Sequence, residues 1–240
     1  DQIDELGVEF ELEEVTNINV LEDNIKEVIT EDNKYLGKVL IIASGSAYRT
    51  LNLPNEDKLI GHGIHFCVAC DGAFYKGKDV AIIGGGNSAV SDALYLSRLA
   101  KKVFLVHRRD SLRATKIYHE PLMKAENIEF LWNSTVSEIV ADKRVSGAIL
   151  KNTKDGSEKM VDVDGIFVSI GRKPATEILG DKLALDKSGY IIADESTKTA
   201  IDGVFAVGDI RTKTLRQIVT ATADGAVAAH FAEEYLSNIK

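Results

Sequence analysis

The sequence predicts an α/β protein with a Rossmann-like, three-layer core. Two observations carry this expectation. Asp79–Ile83 reads as a buried strand, Gly84-Gly85-Gly86 breaks it, and Ala89, Val90, Ala93, Leu94, Leu96 and Leu99 then recur at helical spacing before a second apolar run, Lys102–Val106. Such a β-α-β succession implies a parallel strand pair joined by a right-handed crossover. Short apolar runs closed by glycine also recur elsewhere, at Val39–Ala43, Gly165–Ile170 and Val204–Val207. The first of these reads as a strand buried on both faces.

The remaining elements follow in order. Val8–Glu11, Asn17–Val20 and Lys26–Thr30 read as short strands, parted by turn signals at Glu22-Asp23-Asn24 and Glu31-Asp32-Asn33. Ser44-Gly45 opens a polar stretch ending at Leu53-Pro54-Asn55, a candidate linker. Beyond the β-α-β unit come strands at Ile128–Leu131, Val136–Ala141, Val145–Lys151 and Lys159–Val163, the last two joined by an Asp155-Gly156 hairpin turn. Gly171-Arg172-Lys173-Pro174 reads as a turn or hinge, Tyr190–Ala193 as a strand, and Leu215–Asn238 as a helix. Small residues at Ala221, Ala223, Ala226 and Ala229 suit that helix to close packing.

Size and composition narrow the class. A chain of 240 residues fits one or two domains and buries about 70% of its extended surface without crosslinks. With 45% hydrophobic and 28% charged residues it is an ordinary globular sequence, which excludes wholesale disorder. A net charge of -8 argues against a general nucleic-acid binder. The longest aliphatic run falls far short of the roughly 20 residues that span a bilayer. The first ten residues are acidic and hold no apolar leader, so the expectation is a cytoplasmic protein that binds no membrane. The chain opens on Asp, inside what reads as a helix end over Asp1–Leu6, as though sequence upstream were missing.

Three motifs carry chemistry. Gly84, Gly86 and Ala89 fit G-x-G-x-x-A between a strand and a helix. The first glycine permits the tight turn, the second lets backbone approach a pyrophosphate, and the small third residue packs helix on strand. Free N–H groups at the helix start, around Asn87 and Ser88, favour the phosphates. A purely structural glycine turn is the alternative. After the next strand an NAD site wants an acidic residue, but His107-Arg108-Arg109 stands there, with Arg113 four residues on. If the segment is helical, Arg109 and Arg113 share a face, and a 2′-phosphate rewards that arrangement because guanidinium forks match phosphate oxygens. The expected dinucleotide is therefore NADP(H). A solvated basic turn partly neutralised by Asp110 is the alternative.

The third motif is Cys67-Val68-Ala69-Cys70, holding both cysteines of the chain and followed by Asp71. A C-x-x-C can close an easily exchanged disulfide, and the adjacent carboxyl can serve as its acid–base group. Buried structural thiols compete with this reading. So does zinc, since His62 and His65 extend the pattern to H-x-x-H-x-C-x-x-C, although the spacing is cramped for four tetrahedral ligands. No metal is expected. A weaker signal is Gly208-Asp209 after a strand, followed by Arg216-Gln217, which suits contact with a sugar hydroxyl.

Together these motifs resemble the bacterial-type, low-molecular-weight thioredoxin reductases over essentially the whole chain. Cys67–Gly72 is similar to their redox motif, Gly84–Ala89 to their NADPH loop, His107–Arg113 to their 2′-phosphate clamp, and Gly203–Asp209 with Arg216-Gln217-Ile218 to their C-terminal FAD segment. The resemblance implies two Rossmann-like domains, an NADPH domain (49–176, with Gly171 near the cofactor) inserted into a FAD domain (1–48 and 177–240, with Ser44 and Gly45 contributing). That FAD domain is expected to be partial, because the family's opening strand and G-x-G-x-x-G loop do not precede Asp1. It further implies a homodimer passing electrons from NADPH to FAD, to Cys67 and Cys70, and to thioredoxin. Cys70 then faces the flavin, Cys67 attacks thioredoxin, Asp71 donates the proton, and domain rotation hinges near Ser44-Gly45 and Gly171–Pro174. The flavoprotein of alkyl hydroperoxide reductase shares the core and the C-x-x-C. A fragment that binds NADPH without catalysis is the remaining alternative.

Overall fold

The computed structural model describes residues 5–239, so the first four positions of the helix end expected over Asp1–Leu6 lie outside the described residues. The chain forms two compact units, Asp1–Ala47 with Lys173–Lys240, and Tyr48–Arg172.

The first unit opens with an antiparallel meander, β1 (Val15–Val20), β2 (Lys26–Thr30) and β3 (Lys34–Gly37). The segment Val8–Glu11 is not a strand, and Val8, Phe10 and Leu12 stand exposed. Its alternation is strand-like, but no neighbouring strand among the described residues supplies the ladder. The turn at Glu31-Asp32-Asn33 forms as expected, with Thr30 N donating to Asn33 O at 3.0 Å. β3 beyond it was not foreseen from Lys34-Tyr35-Leu36-Gly37, where no residue is fully buried. Lys26 is buried, and its ammonium donates to the carbonyls of Asn24 (2.8 Å) and Lys38 (2.9 Å) beneath the Tyr235 ring. β4 (Leu40–Ile42) follows, and β5 (Ser46–Tyr48) ends the passage. Burial on both faces of β4 is not observed: Ile42 is covered, whereas Ile41 is 41% exposed.

The second unit holds a five-stranded parallel sheet. Along the chain come α1 (Glu56–Leu59), β6 (Ile64–His65), α2 (Val68–Asp71), β7 (Asp79–Ile83), α3 (Asn87–Leu96), β8 (Lys102–His107), α4 (His119–Lys124) and β9 (Ile128–Trp132). A second antiparallel meander, β10 (Ser134–Ala141), β11 (Val145–Asn152) and β12 (Glu158–Asp162), precedes β13 (Gly165–Val168). The sheet order is β6-β13-β7-β8-β9, every pair parallel. Strand residues alternate between faces. Val80, Ile82, Val103, Leu105 and Phe167 pack under Ala89, Val90, Ala93 and Leu96 of α3. Ala81, Ile83, Phe104, Val106, Ile166 and Val168 meet Val145, Ala148, Leu150 and Val161 of the meander. Helix, sheet and meander thus make three layers, and the middle of the sheet is apolar because both faces are covered.

Returning to the first unit, β14 (Arg172–Pro174) is a strand where a turn was expected, and it pairs with β5. Tyr190–Ala193 is not a strand; Ile191 alone bridges Leu185 and Arg211. β15 (Val204–Ala206) runs parallel to β4, Val204 opposite Leu40. The last helix, α5 (Ile218–Asn238), starts three residues later than expected and packs Ala228 and Ala232 against Phe205 and Val207.

One charged cluster organises this end of the unit. Arg211, 1% exposed, makes two 2.8 Å hydrogen bonds to the Asp224 carboxylate, which also accepts Lys213 Nζ at 2.7 Å and Gly208 N at 2.8 Å. Burial pushes the Asp224 carboxyl up, but these donors outweigh it and hold it far below the usual carboxylate range. A depressed folded value means the stabilisation is complete above about pH 4 and fades only as the pH falls through that lowered value. Asp224→Ala strands a buried guanidinium, so calorimetry at neutral pH should show a loss of about 3–5 kcal/mol, shrinking in strong acid.

Candidate active site

The glycine turn sits at the carboxyl end of β7. Gly84 N donates to Val106 O at 3.0 Å, tying the turn to β8. Gly84 has φ 152°, and a Cβ there would lie 2.4 Å from Ser169 O and 2.7 Å from the Ala89 Cβ. Only glycine meets both demands. A Cβ on Gly85 would strike the His107 ring at 2.4 Å. Gly86 differs: a Cβ there meets nothing within 4 Å, so open space fronts its backbone. It is the N-cap of α3 and makes no side-chain cap, which leaves the helix-start N–H groups, at exposed Asn87 and Ser88, aimed at that space. Ala89 is buried beneath the turn. Behind it, Ser169 Oγ donates to Asp92 Oδ2 at 2.5 Å, and burial raises the Asp92 carboxyl.

The basic segment folds onto the same turn. Gly85 O accepts Arg113 N at 2.8 Å and Ala114 N at 3.2 Å, while Asn87 Oδ1 accepts Thr115 N at 2.8 Å. The segment between His107 and Lys116 is not helical, so Arg109 and Arg113 do not share a helix face; the carbonyl of Gly85 places Arg113 instead. Arg108, Arg109 and Arg113 are all exposed, and no carboxylate among the described residues pairs with them. Asp110, expected to neutralise part of this charge, pairs with Lys154 at 3.2 Å. His107 is buried with Nε2 unpartnered; burial first, then the charges of Arg113, Arg109 and Arg108, hold its imidazole below the ordinary histidine range. Three uncompensated guanidiniums beside free helix-start amides fit a phosphorylated dinucleotide. Gly171, with φ 100°, accepts Arg49 N at 3.1 Å where β14 begins.

The Cys67–Cys70 disulfide is formed, with Cα atoms 5.3 Å apart. Cys67 caps α2, its sulfur accepting Cys70 N at 3.2 Å, and Cys70 is exposed. Asp71 closes that helical turn and lies against His65, Nδ1 to Oδ2 at 3.0 Å. His65 Nε2 meets Tyr75 Oη at 2.7 Å. Both histidine nitrogens are thus engaged away from a metal, and among the described residues no group of three or more potential ligands converges. Tyr75 was not foreseen; nothing in C-x-x-C-D-G-A-F-Y marks its partner ten residues back.

In the first unit, Ser44 Oγ donates to Ala175 O at 3.0 Å, and Gly45 O accepts Ala175 N at 3.1 Å. Gly208, at φ 70°, is buried, with Asp209 half-buried in the short 3-10 turn after it. Arg216 stacks on Tyr190 and donates to Arg211 O at 3.2 Å, leaving a buried Nε unpartnered. Gln217 N donates to Thr220 Oγ1 at 3.1 Å as α5 starts, and Ile218 is 88% exposed. A buried guanidinium nitrogen left unpartnered just before α5, together with the half-buried Asp209, fits a flavin dinucleotide. The role of the cluster of Arg211, Lys213 and Asp224 in holding Gly208 was not legible, since its members are separated in sequence.

The profile of the pyridine nucleotide-disulphide oxidoreductase family matches residues 1–225. Thioredoxin reductase from Listeria monocytogenes is 45% identical over 216 residues, 90% of this chain and 68% of that protein. That from Peptoclostridium acidaminophilum is 42% identical over 242 residues, 98% of this chain and 76% of the other. The crystal structure of thioredoxin reductase from Streptococcus pyogenes superposes with a TM-score of 0.92 at 40% identity, covering 99% of this chain and 78% of that one. The chain therefore belongs to the pyridine nucleotide-disulphide oxidoreductases, and within them to the thioredoxin reductase type. The expected α/β class and family resemblance hold. No helix among the described residues is long and apolar enough to cross a membrane.

Gly84→Ala drives its Cβ into the Ser169 carbonyl, so it should cost at least about 2 kcal/mol. Denaturant unfolding that moved by less than a few tenths of that would show that the turn can relax.

Proposed function

We propose that this chain is an NADPH-dependent, FAD-containing disulfide reductase that passes electrons through Cys67 and Cys70 to thioredoxin. The carrying observation is one compact unit that holds both a formed C-x-x-C disulfide and a glycine turn fronted by open space and unpaired arginines. Residues 49–176 would form the NADPH domain and residues 1–48 with 177–240 the FAD-binding part.

When bound, the nicotinamide and flavin supply two electrons and a proton. Gly84, Gly86, Asn87, Ser88 and Ala89 bind the pyrophosphate, while Arg108, Arg109 and Arg113, with His107 packed behind Gly85, bind the 2′-phosphate. Gly171 belongs to the same pocket. Ser44, Gly45, Gly208, Asp209, Arg216, Gln217 and Ile218 bind the flavin nucleotide. Reduction of the Cys67–Cys70 bond consumes two electrons and two protons and yields a dithiol. Cys67 as thiolate then attacks the partner disulfide, Cys70 resolves the mixed disulfide, and the partner leaves as a dithiol. Asp71 takes the proton from the enzyme thiol and returns it to the departing sulfur. Phe74, 71% exposed beyond Asp71, offers the partner an apolar contact.

The first test is nucleotide preference. Replacing Arg108, Arg109 and Arg113 together by Ala should erase roughly a hundredfold preference for NADPH over NADH in fluorescence titrations, with thermal stability unchanged. An unaltered ratio sinks the clamp. Gly86→Ala should spare the melting temperature and weaken NADPH binding about tenfold or more, since its Cβ fills only the space a pyrophosphate needs. Full NADPH-dependent disulfide reduction by Cys70→Ser in the flavin-loaded protein would overturn the electron route.

A further inference from the structure

His65 has a place in the chemistry that the nucleotide and disulfide motifs leave unassigned. It is 7% exposed at the end of β6, and its ring is stacked on Phe167 (centroids 5.2 Å, 28° between planes). Tyr75, 1% exposed, packs edge-on to the same Phe167. Gly165 makes room for it, because a Cβ there would lie 2.3 Å from the Tyr75 ring. Two rings and a strand therefore fix the imidazole's plane.

Hydrogen-bond logic then fixes its proton. Asp71 Oδ2 lies 3.0 Å from His65 Nδ1, and a carboxylate can only accept, so the ring proton resides on Nδ1. With Nδ1 donating, Nε2 accepts the proton of the Tyr75 hydroxyl, 2.7 Å away. The donors of Tyr75 and His65 thus both point toward Asp71. The charged groups that face it are Asp71 from α2, Arg144 from the meander, and Asp164 ahead of β13, which acts on Tyr75. Burial raises the Tyr75 phenol most, so it stays a donor.

We propose that His65 is the positioning residue for Asp71: Tyr75 locks the imidazole in its Nδ1–H form, and that form grips one carboxylate oxygen while the other exchanges protons with the dithiol. This rests on the reading of Asp71 as the proton-exchanging group. In the exchange step the Cys67 thiol proton passes to the carboxylate as the thiolate attacks, and the carboxylate returns it to the partner's leaving sulfur, so protons and electrons balance without further reagents. His65 stays bonded throughout and acts by holding the carboxylate in one rotamer.

The test uses the whole chain, reduced, freed of reductant and mixed with dithiobis(nitrobenzoate) in a single turnover, so no cofactor enters. His65→Leu is expected to slow exchange about tenfold and alter its pH profile, while His65→Asn, which keeps a donor near the Nδ1 position, restores most of the rate. Asp71→Asn should slow exchange at least as much, and adding His65→Leu to it should slow it no further. An additive double variant, or an Asn variant no better than Leu, overturns the proposal while leaving Asp71 in place. An Asp71→Asn variant with the wild-type rate removes the reading of Asp71 and the proposal with it. If His65→Leu does not fold, nitrogen-15 NMR of the wild-type histidines decides: an Nδ1–H tautomer for His65 supports the proposal, and Nε2–H overturns it.

Discussion

The close approach of the glycine turn to its two neighbouring strands governs the inner unit. Gly84 is bonded to β8 through Val106 O, and its missing Cβ leaves room for the carbonyl of Ser169 just past β13. Gly85 takes the imidazole of His107 in the same way and offers its carbonyl to Arg113. One turn thereby sets the spacing of three parallel strands, the start of α3 and the course of the basic segment. A methyl group in the wrong place would act on all of them at once, because a close-packed interior has no slack to absorb it.

Charge is sorted by a simple rule in this molecule. The most deeply buried cationic side chains are satisfied: Lys26 by two carbonyls, Arg211 and Lys213 by Asp224. Where cations stand unpaired, at Arg108, Arg109 and Arg113, they are exposed and gathered beside open helix-start amides. Desolvation makes the first arrangement obligatory. Nothing in folding demands the second, since like charges so gathered repel. The unpaired set is therefore the part of the electrostatics on which the proposed nucleotide clamp rests.

Much of this was legible in the sequence. Asp79–Ile83 and Lys26–Thr30 form strands over the residues read from their patterns, and the glycine turn lies where a strand-to-helix switch required it. These signals are local, set by periodicity and by residues with special backbone freedom. The failures share a cause. Val8–Glu11 and Tyr190–Ala193 have strand-like composition but lack a ladder partner among the described residues, and β-propensity acts only through such partners. Conversely, Arg172–Pro174 gains strand geometry from β5, far away in the chain. The link between Asp71, His65 and Tyr75 was half visible: His65 stood out for its spacing from the cysteines, but the spacing pointed to a metal, and only the fold directs the ring to a carboxylate and a phenol.

The interruption of the outer unit bears on how the chain reaches this structure. β4 is made early, yet its parallel partner β15 follows the whole inner unit. During synthesis the inner residues are complete while Val204 is still to be added, and their sheet needs no strand from outside. Once formed, that unit holds its own ends together, with Arg172 Nη2 and Tyr48 Oη 2.5 Å apart. The outer chain then closes across a short gap rather than a long flexible loop, so the entropy of that closure has already been met by the insert. Early folding of the middle of the polypeptide thus acts as the clip on which its two flanks assemble.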